Sequence, residues 1–200
     1  MPNEAIAALV TGIADHGYAI AHGMLPGTII DDLRARALGL DRAGAMMPGG
    51  VGRGPARLDP AVRGDRLAWL ADEPRDAAEV AAFALFEELR GICNRTLTLG
   101  LFEFESHYAL YPPGASYARH RDRFRDDDAR VLSCVLYLND DWRPRDGGAL
   151  RLHLDDRDAL DVAPAGGTLV AFLSEALDHE VLPARRTRIA LTGWFRRRAP

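Results

Sequence analysis

The segment "YARHRDRF", Tyr117 to Phe124, sets His120 and Asp122 two residues apart in a run crowded with arginine. In an extended strand, side chains at i and i+2 leave the same face. An imidazole and a carboxylate aimed into one space can hold a metal, share a proton, or pair with the arginines beside them, and a third residue has to decide. His16 and His22 lie in or beside an N-terminal helix and strand and read as exposed or capping. His153 alternates with Leu150, Leu152 and Leu154 and is expected to face water. His107 shares strand parity with Ala109 and Tyr111, and reads as a core or supporting histidine that could look into the same pocket. His179 stands apart: it starts a short strand after a turn in "SEALDHEV", and Arg188 follows on the next one, in "RRTRIAL". Two imidazoles and one carboxylate can occupy one face of iron(II) and leave adjacent positions open. A structural zinc site would be closed by four ligands.

The elements that must position these residues fall into two halves. "NEAIAALVTGIADHG" has Ile6, Leu9, Val10 and Ile13 at helical spacing, with Asn3 as the expected N-cap and Gly17 as the stop. A strand "YAIAHG" follows, then a helix from about Thr28 to Leu40 with Ile29, Leu33 and Leu40 on one side. A third helix is expected from about Asp76 to Asn94, with Val80, Phe83, Leu85, Phe86 and Leu89 as its apolar face. Between the second and third, "GAMMPGGVGRGPA" (Gly44 to Ala56) reads as a long glycine-rich connection, a surface loop or a lid. From Leu101 onward come short β-branched or aromatic runs divided by Gly, Pro, Asn and Asp. Helices first and strands afterwards argue against a doubly wound sheet. The expected fold is mostly β with N-terminal helices: a double-stranded β-helix (jelly-roll) barrel supported by helices on one face. One domain is expected over residues 1–200, with helical support in 1–100 and the jelly-roll core in about 101–198.

Composition narrows the chemistry. All 25 Lys and Arg residues are arginine, so Schiff-base chemistry, a lysine base and a P-loop lysine are all unavailable. None of the four serines sits in a GxSxG elbow. Cys93 and Cys134 read as reduced core residues. The net charge of −4 argues against a nucleic-acid partner. With no long apolar run and no export signal, no membrane partner and a cytoplasmic location are expected.

The ordered set "RGDRLAWL", "YPPGASYARHRD", "RVLSCVLYLNDDW", "GGALRLH", "GGTLVAF", "HEV" and "TRIALTGWF" resembles the iron(II)- and 2-oxoglutarate-dependent oxygenases, and within them the oxygen-sensing type of prolyl 4-hydroxylase. The resemblance runs from about Arg63 to Arg197. It implies His120, Asp122 and His179 as iron ligands, with O2 and 2-oxoglutarate as cosubstrates. Arg188 is implied as the partner of the distal 2-oxoglutarate carboxylate, assisted by Tyr137 and Thr192, with Tyr111 and Trp194 lining the site. Arg63 and Arg130 match substrate-approaching positions, and the Gly44–Ala56 segment matches a substrate-closing loop. The implied partner is a protein or peptide with a target proline, and L-ascorbate is an implied accessory reductant. Rival readings are the same chemistry on a small molecule or nucleobase, and a non-catalytic module that senses iron or 2-oxoglutarate. Pro112, Pro113 and the charged run after Asp122 depart from the family pattern near the mouth of the site.

Overall fold

The computed structural model describes residues 2–50, 58–71, 73–122, 129–154 and 158–198. Three helices, α1 (Pro2–His16), α2 (Gly27–Arg42) and α3 (Ala77–Leu97), accompany eleven strands. The strands are β1 (Tyr18–His22), β2 (Met47–Pro48), β3 (Arg66–Trp69), β4 (Glu103–Tyr111), β5 (Tyr117–His120), β6 (Arg130–Tyr137), β7 (Leu150–His153), β8 (Ala159–Val162), β9 (Thr168–Leu173), β10 (Asp178–Val181) and β11 (Arg188–Arg196). They form a seven-stranded sheet, β1-β9-β6-β11-β4-β3-β2, and a four-stranded sheet, β5-β10-β7-β8. Every strand pairing within the sheets is antiparallel.

Strand periodicity explains why the large sheet is buried on both faces. On β11, Ile189, Leu191 and Phe195 join the core under the helices, whereas Arg188, Ala190, Thr192 and Trp194 turn to the other side. On β6 the split is Leu132, Cys134 and Leu136 against Val135 and Tyr137. One core thus lies between helices and sheet, around Ile6, Leu9, Leu33, Phe86 and Leu89. The second lies around Val170, Phe172, Leu150, Leu152 and Val181, where the small sheet packs. Two apolar faces make each central strand a near-continuous hydrophobic run, the pattern visible in "RVLSCVLYL". Cys93 and Cys134 are free and buried.

Several expectations need correction. α1 already includes Pro2 and Asn3, so Asn3 does not cap it; Pro suits a first turn, where its missing N–H would have no partner. Gly17 does stop α1, at φ 78°, with its N–H donating to the Ile13 carbonyl. α2 buries Ile30, Leu33 and Ala37 rather than a stripe of Ile29, Leu33 and Leu40. On α3, Val80 is 52% exposed; Leu85, Phe86 and Leu89 are buried as expected, and Ala78, Ala82 and Cys93 complete the buried stripe. The expected strand β1 extends the large sheet beside β9, and within the first hundred residues β2 and β3 also extend it beside β4. Met47 and Pro48 pair with Leu67 and Arg66, so the glycine-rich segment contributes an edge strand; residues 51–57 fall outside the described residues.

Candidate metal and cosubstrate site

β5 and β10 are directly paired, with His120 opposite His179 and a register shift between His179 and Val181. Asp122 follows just beyond β5. One ligand atom from each of His120, Asp122 and His179 lies within 4.8 Å of the others. His120 Nε2 is 3.7 Å from Asp122 Oδ1, and His179 Nε2 is 3.5 Å from Oδ2. Each Nδ1 faces a backbone carbonyl, Ala118 O at 2.7 Å and Leu177 O at 3.3 Å. A carbonyl only accepts, so Nδ1 carries the proton and each Nε2 presents a lone pair. Tyr117 stacks on His120 with centroids 3.6 Å apart, and the edge of Phe172 meets His179.

Electrostatics favour the same state. Burial, reinforced by the neighbouring His179, presses the His120 pKa down to about 4, so the ring is neutral at ordinary pH. Burial alone would raise the Asp122 carboxyl, but the two imidazoles, the Trp194 indole and the Ser133 hydroxyl outweigh it and hold it at about 2. Ser133 Oγ donates to Asp122 Oδ2 at 2.7 Å and meets Ser174 Oγ at 2.9 Å. A carboxylate and two neutral imidazoles converging without a proton between them fit a divalent cation, and two nitrogens with one oxygen suit iron(II).

This cluster opens into a cavity of about 850 Å³. At its inner end Arg188, 2% exposed, donates from Nε to the Gly148 carbonyl at 2.9 Å and from NH2 to Tyr137 Oη at 3.3 Å. Tyr111 faces Arg188 across β4 and β11, with the guanidinium carbon 5.1 Å from its ring centre. Burial raises the pKa of both phenols, so each hydroxyl remains a hydrogen-bond donor. Among the described residues around Arg188 no carboxylate is paired with it, which suits it to an incoming anion. Thr192 and Trp194 lie further along the same face of β11 and also line the cavity.

Arg63 and Arg130 line the cavity too, each matched to a carboxylate. Arg63 grips the buried Asp65 through Nε (2.7 Å) and NH2 (3.0 Å), and lies over the Tyr117 ring. The "RGD" triplet is therefore an internal ion pair. Arg130 donates to Glu105 at 2.7 Å and stacks over Trp194 at 3.7 Å. Arg119 and Arg121 both bind Asp178, the residue before His179; Arg123, Arg125 and Asp126 to Asp128 lie outside the described residues.

Of the remaining histidines, His153 alone departs from expectation. His16 and His22 are exposed. His153 does not simply face water, since its Nε2 is 3.1 Å from Glu180 Oε1 on the neighbouring strand. His107, 2% exposed, is part of the cavity wall between Trp69 and Trp194. Asp65, Ser133, Asp178 and Gly148 also belong to the site, beyond the residues expected from sequence. Strand parity with Val135 and Tyr137 is a signal for Ser133, whereas the partners of Asp178 and Gly148 depend on strand pairing.

Comparison with known proteins agrees with this geometry. The family model described as the 2OG-Fe(II) oxygenase superfamily matches residues 106–196. The human Egl nine homolog 1 is 32% identical over 143 residues, covering 67% of this chain and 33% of that protein. The human prolyl hydroxylase EGLN3 is 32% identical over 142 residues, covering 67% of this chain and 59% of its own. The chain thus spans less than two thirds of the length of these curated relatives. Among solved structures, a Pseudomonas putida prolyl-4-hydroxylase is 45% identical, with a TM-score of 0.88 over 97% of this chain and 100% of that one. A Trichoplax adhaerens prolyl hydroxylase, solved with a hypoxia inducible factor oxygen degradation domain peptide fragment, is 25% identical, with a TM-score of 0.89 over 98% and 90% of the two chains. Site geometry and whole-length similarity together lead to one assignment: the chain belongs to the 2OG-Fe(II) oxygenase superfamily and is similar within it to the prolyl hydroxylases.

Proposed function

We propose that this protein hydroxylates C4 of a prolyl residue in a protein or peptide substrate. In the balanced reaction, the substrate C–H, 2-oxoglutarate and O2 give C–OH, succinate and CO2. The observation that carries the reading is the opening of the His120–Asp122–His179 cluster into the same cavity as the buried Arg188. The prolyl substrate class rests on the 45% identity to a Pseudomonas putida prolyl-4-hydroxylase.

In this reading His120, Asp122 and His179 hold iron(II), which when bound supplies O2 activation coupled to decarboxylation of the oxo-acid. Arg188 takes the distal carboxylate of 2-oxoglutarate with its planar guanidinium, and the Tyr137 hydroxyl adds a donor. Tyr111, Thr192 and Trp194 bound the cosubstrate pocket, and their apolar neighbours Val135, Leu150 and Val181 exclude water from it. Ser133 holds one Asp122 oxygen and so fixes the carboxylate's orientation. Arg63 and Arg130, neutralised by Asp65 and Glu105, shape the substrate side of the cavity. The reading extends to residues 1–200 as one oxygenase domain acting in the cytoplasm, with L-ascorbate as an accessory reductant. No helix of the described residues is long and apolar enough to cross a membrane.

The deciding experiment is an anaerobic titration with iron(II) and then 2-oxoglutarate, followed by aerobic reaction with a library of prolyl peptides. A visible charge-transfer band, then one hydroxyproline per succinate in a subset of peptides, is expected. Succinate release with oxygen insertion only into a nucleobase or small molecule would sink the prolyl assignment while keeping the iron chemistry.

A further inference from the structure

Several charged side chains of the cavity already hold protein partners. Arg63 holds Asp65, Arg130 holds Glu105, Arg188 donates to Gly148, and Asp122 accepts from Ser133. Among the described residues, two that line the cavity carry a buried polar atom without a hydrogen-bond partner: His107 at Nδ1 and Trp194 at Nε1. The indole has an evident use, since it lies close enough to Asp122 to help hold that carboxyl ionised. His107 has none. Leaving a buried donor or acceptor unsatisfied is costly, and a ligand that satisfies it recovers that energy.

The surroundings of His107 specify the kind of ligand. Its ring lies 4.8 Å from Trp69 and 5.3 Å from Trp194, with Trp69 itself 55% exposed. The three rings make an aromatic shelf that runs from solvent into the cavity. On β4, His107 is paired with Thr192 and Trp69, whereas Tyr111 is paired with Arg188. Four residues of strand, about 13 Å, therefore separate the His107 rung from the Arg188 rung where the cosubstrate carboxylate is anchored. The cations nearest the shelf, Arg63 and Arg130, are each offset by their own carboxylate, so the shelf carries little net charge. A neutral imidazole in such a place suits a neutral hydrogen-bonding group on an apolar ring, and suits a phosphate or carboxylate poorly. A peptide backbone amide beside a pyrrolidine ring has that chemistry, since proline-containing segments dock in aromatic-lined grooves.

We propose that His107 is a specificity-determining residue: its Nδ1 hydrogen-bonds a backbone amide group of the peptide flanking the target proline, while the prolyl ring packs on the shelf made with Trp69 and Trp194. This rests on the prolyl-hydroxylase reading and assigns that substrate a contact on this chain. A neutral imidazole can accept from a peptide N–H or donate to a peptide carbonyl.

The test compares wild type with His107→Leu, which fills similar space without a polar atom, and His107→Asn, which keeps one near the Nδ1 position. All three are loaded anaerobically with iron(II) and 2-oxoglutarate, and the loading is checked by the visible band. Binding of a capped prolyl peptide chosen from the library is then followed by tryptophan fluorescence. The expected result is a Kd about tenfold weaker or more for His107→Leu, with His107→Asn within about threefold of wild type; tenfold corresponds to about 1.4 kcal/mol. In ¹⁵N-histidine spectra of the wild type, one Nδ1 signal absent from His107→Leu should move on peptide addition. Unchanged peptide affinity in His107→Leu overturns the proposal, as does equal weakening in both variants, which would mark ring packing instead of a hydrogen bond. If the loaded wild type consumes 2-oxoglutarate yet neither binds nor hydroxylates any prolyl peptide, the parent reading has failed and the peptide contact falls with it.

Discussion

His120 and His179 are direct partners across an antiparallel strand pair, with ring centroids 4.2 Å apart. The two imidazoles of the cluster are therefore set by backbone hydrogen bonding between β5 and β10. An ion-pair clasp reinforces that pairing: Arg119 and Arg121, which flank His120, both bind Asp178, which precedes His179. The arginines are about half exposed, at 51% and 54%, so the clasp is screened by solvent and weak, of order 0.2–1 kcal/mol. Asp178→Asn is expected to weaken iron(II) binding about threefold at low salt and by less in high salt. Anaerobic iron titrations at two ionic strengths check this, and an effect that salt does not reduce would refute the electrostatic account.

Ser133 acts closer to the metal cluster. Its hydroxyl is the hydrogen-bond donor that orients Asp122, and it is fully buried beside Ser174. Removing such a supporting hydrogen bond from a metal ligand lowers metal affinity roughly 10–100-fold. Ser133→Ala is thus expected to need at least about tenfold more iron(II) for half-saturation, with the thermal midpoint little changed. An unaltered iron isotherm would show that strand pairing alone orients the carboxylate.

Gly148 forms the floor under Arg188. Its carbonyl accepts from Arg188 Nε, its φ is +71°, and a Cβ there would lie 2.7 Å from the Ala184 Cβ. Gly148→Ala is strained by conformation and by space together, and relief requires moving the carbonyl that aims the guanidinium. Arg188→Lys leaves the backbone intact but replaces a bidentate donor with a point charge. Both variants are expected to raise the 2-oxoglutarate concentration for half-maximal band intensity by about tenfold or more, with iron(II) binding retained. The pair separates cradle from charge: a normal isotherm for Gly148→Ala would mean that Arg188 needs no aiming.

The parts legible in the sequence are those carried by short periods. Alternation along "RVLSCVLYL" and "RIALTGWF" reveals two-faced strands, and even spacing places Arg188, Thr192 and Trp194 on one face, where they line the cavity. The His-X-Asp spacing works because strand parity aims both side chains one way. What stayed hidden depends on pairing between distant segments. Asp178 finds Arg119 and Arg121 only once β10 lies on β5, and Gly148 meets Arg188 across 40 residues. β2, β3 and β8 are not legible as strands because two residues, or a strand with one buried position in four, give too little period. Hydrophobicity alone places Val80 on a buried face, yet α3 needs only a narrow stripe because it packs on one side.

His107 and His120 also set how stability responds to acid. Burial, with Arg63 and Arg130 adding to it, holds the His107 pKa at about 3 against an ordinary 6.5, although Asp65 and Asp122 pull it upward. His120 stands at about 4 in the metal-free protein. Both folded-state values are depressed, so near pH 5 the unfolded chain binds protons that the native chain refuses. Stability is then complete above about pH 6.5 and falls as pH drops toward 4, by up to about 1.4 kcal/mol per pH unit for each histidine. Asp122 has a depressed carboxyl, so its contribution survives this window and is lost only as pH falls from 3.8 toward 2. Urea unfolding of the metal-free protein between pH 7.5 and 4.5 is expected to show the combined slope, roughly halved in His107→Leu. A slope equal to that of wild type in the variant would mean that His107 takes up its proton in the native state, and the cavity wall around it would then be wetter than its 2% exposure indicates.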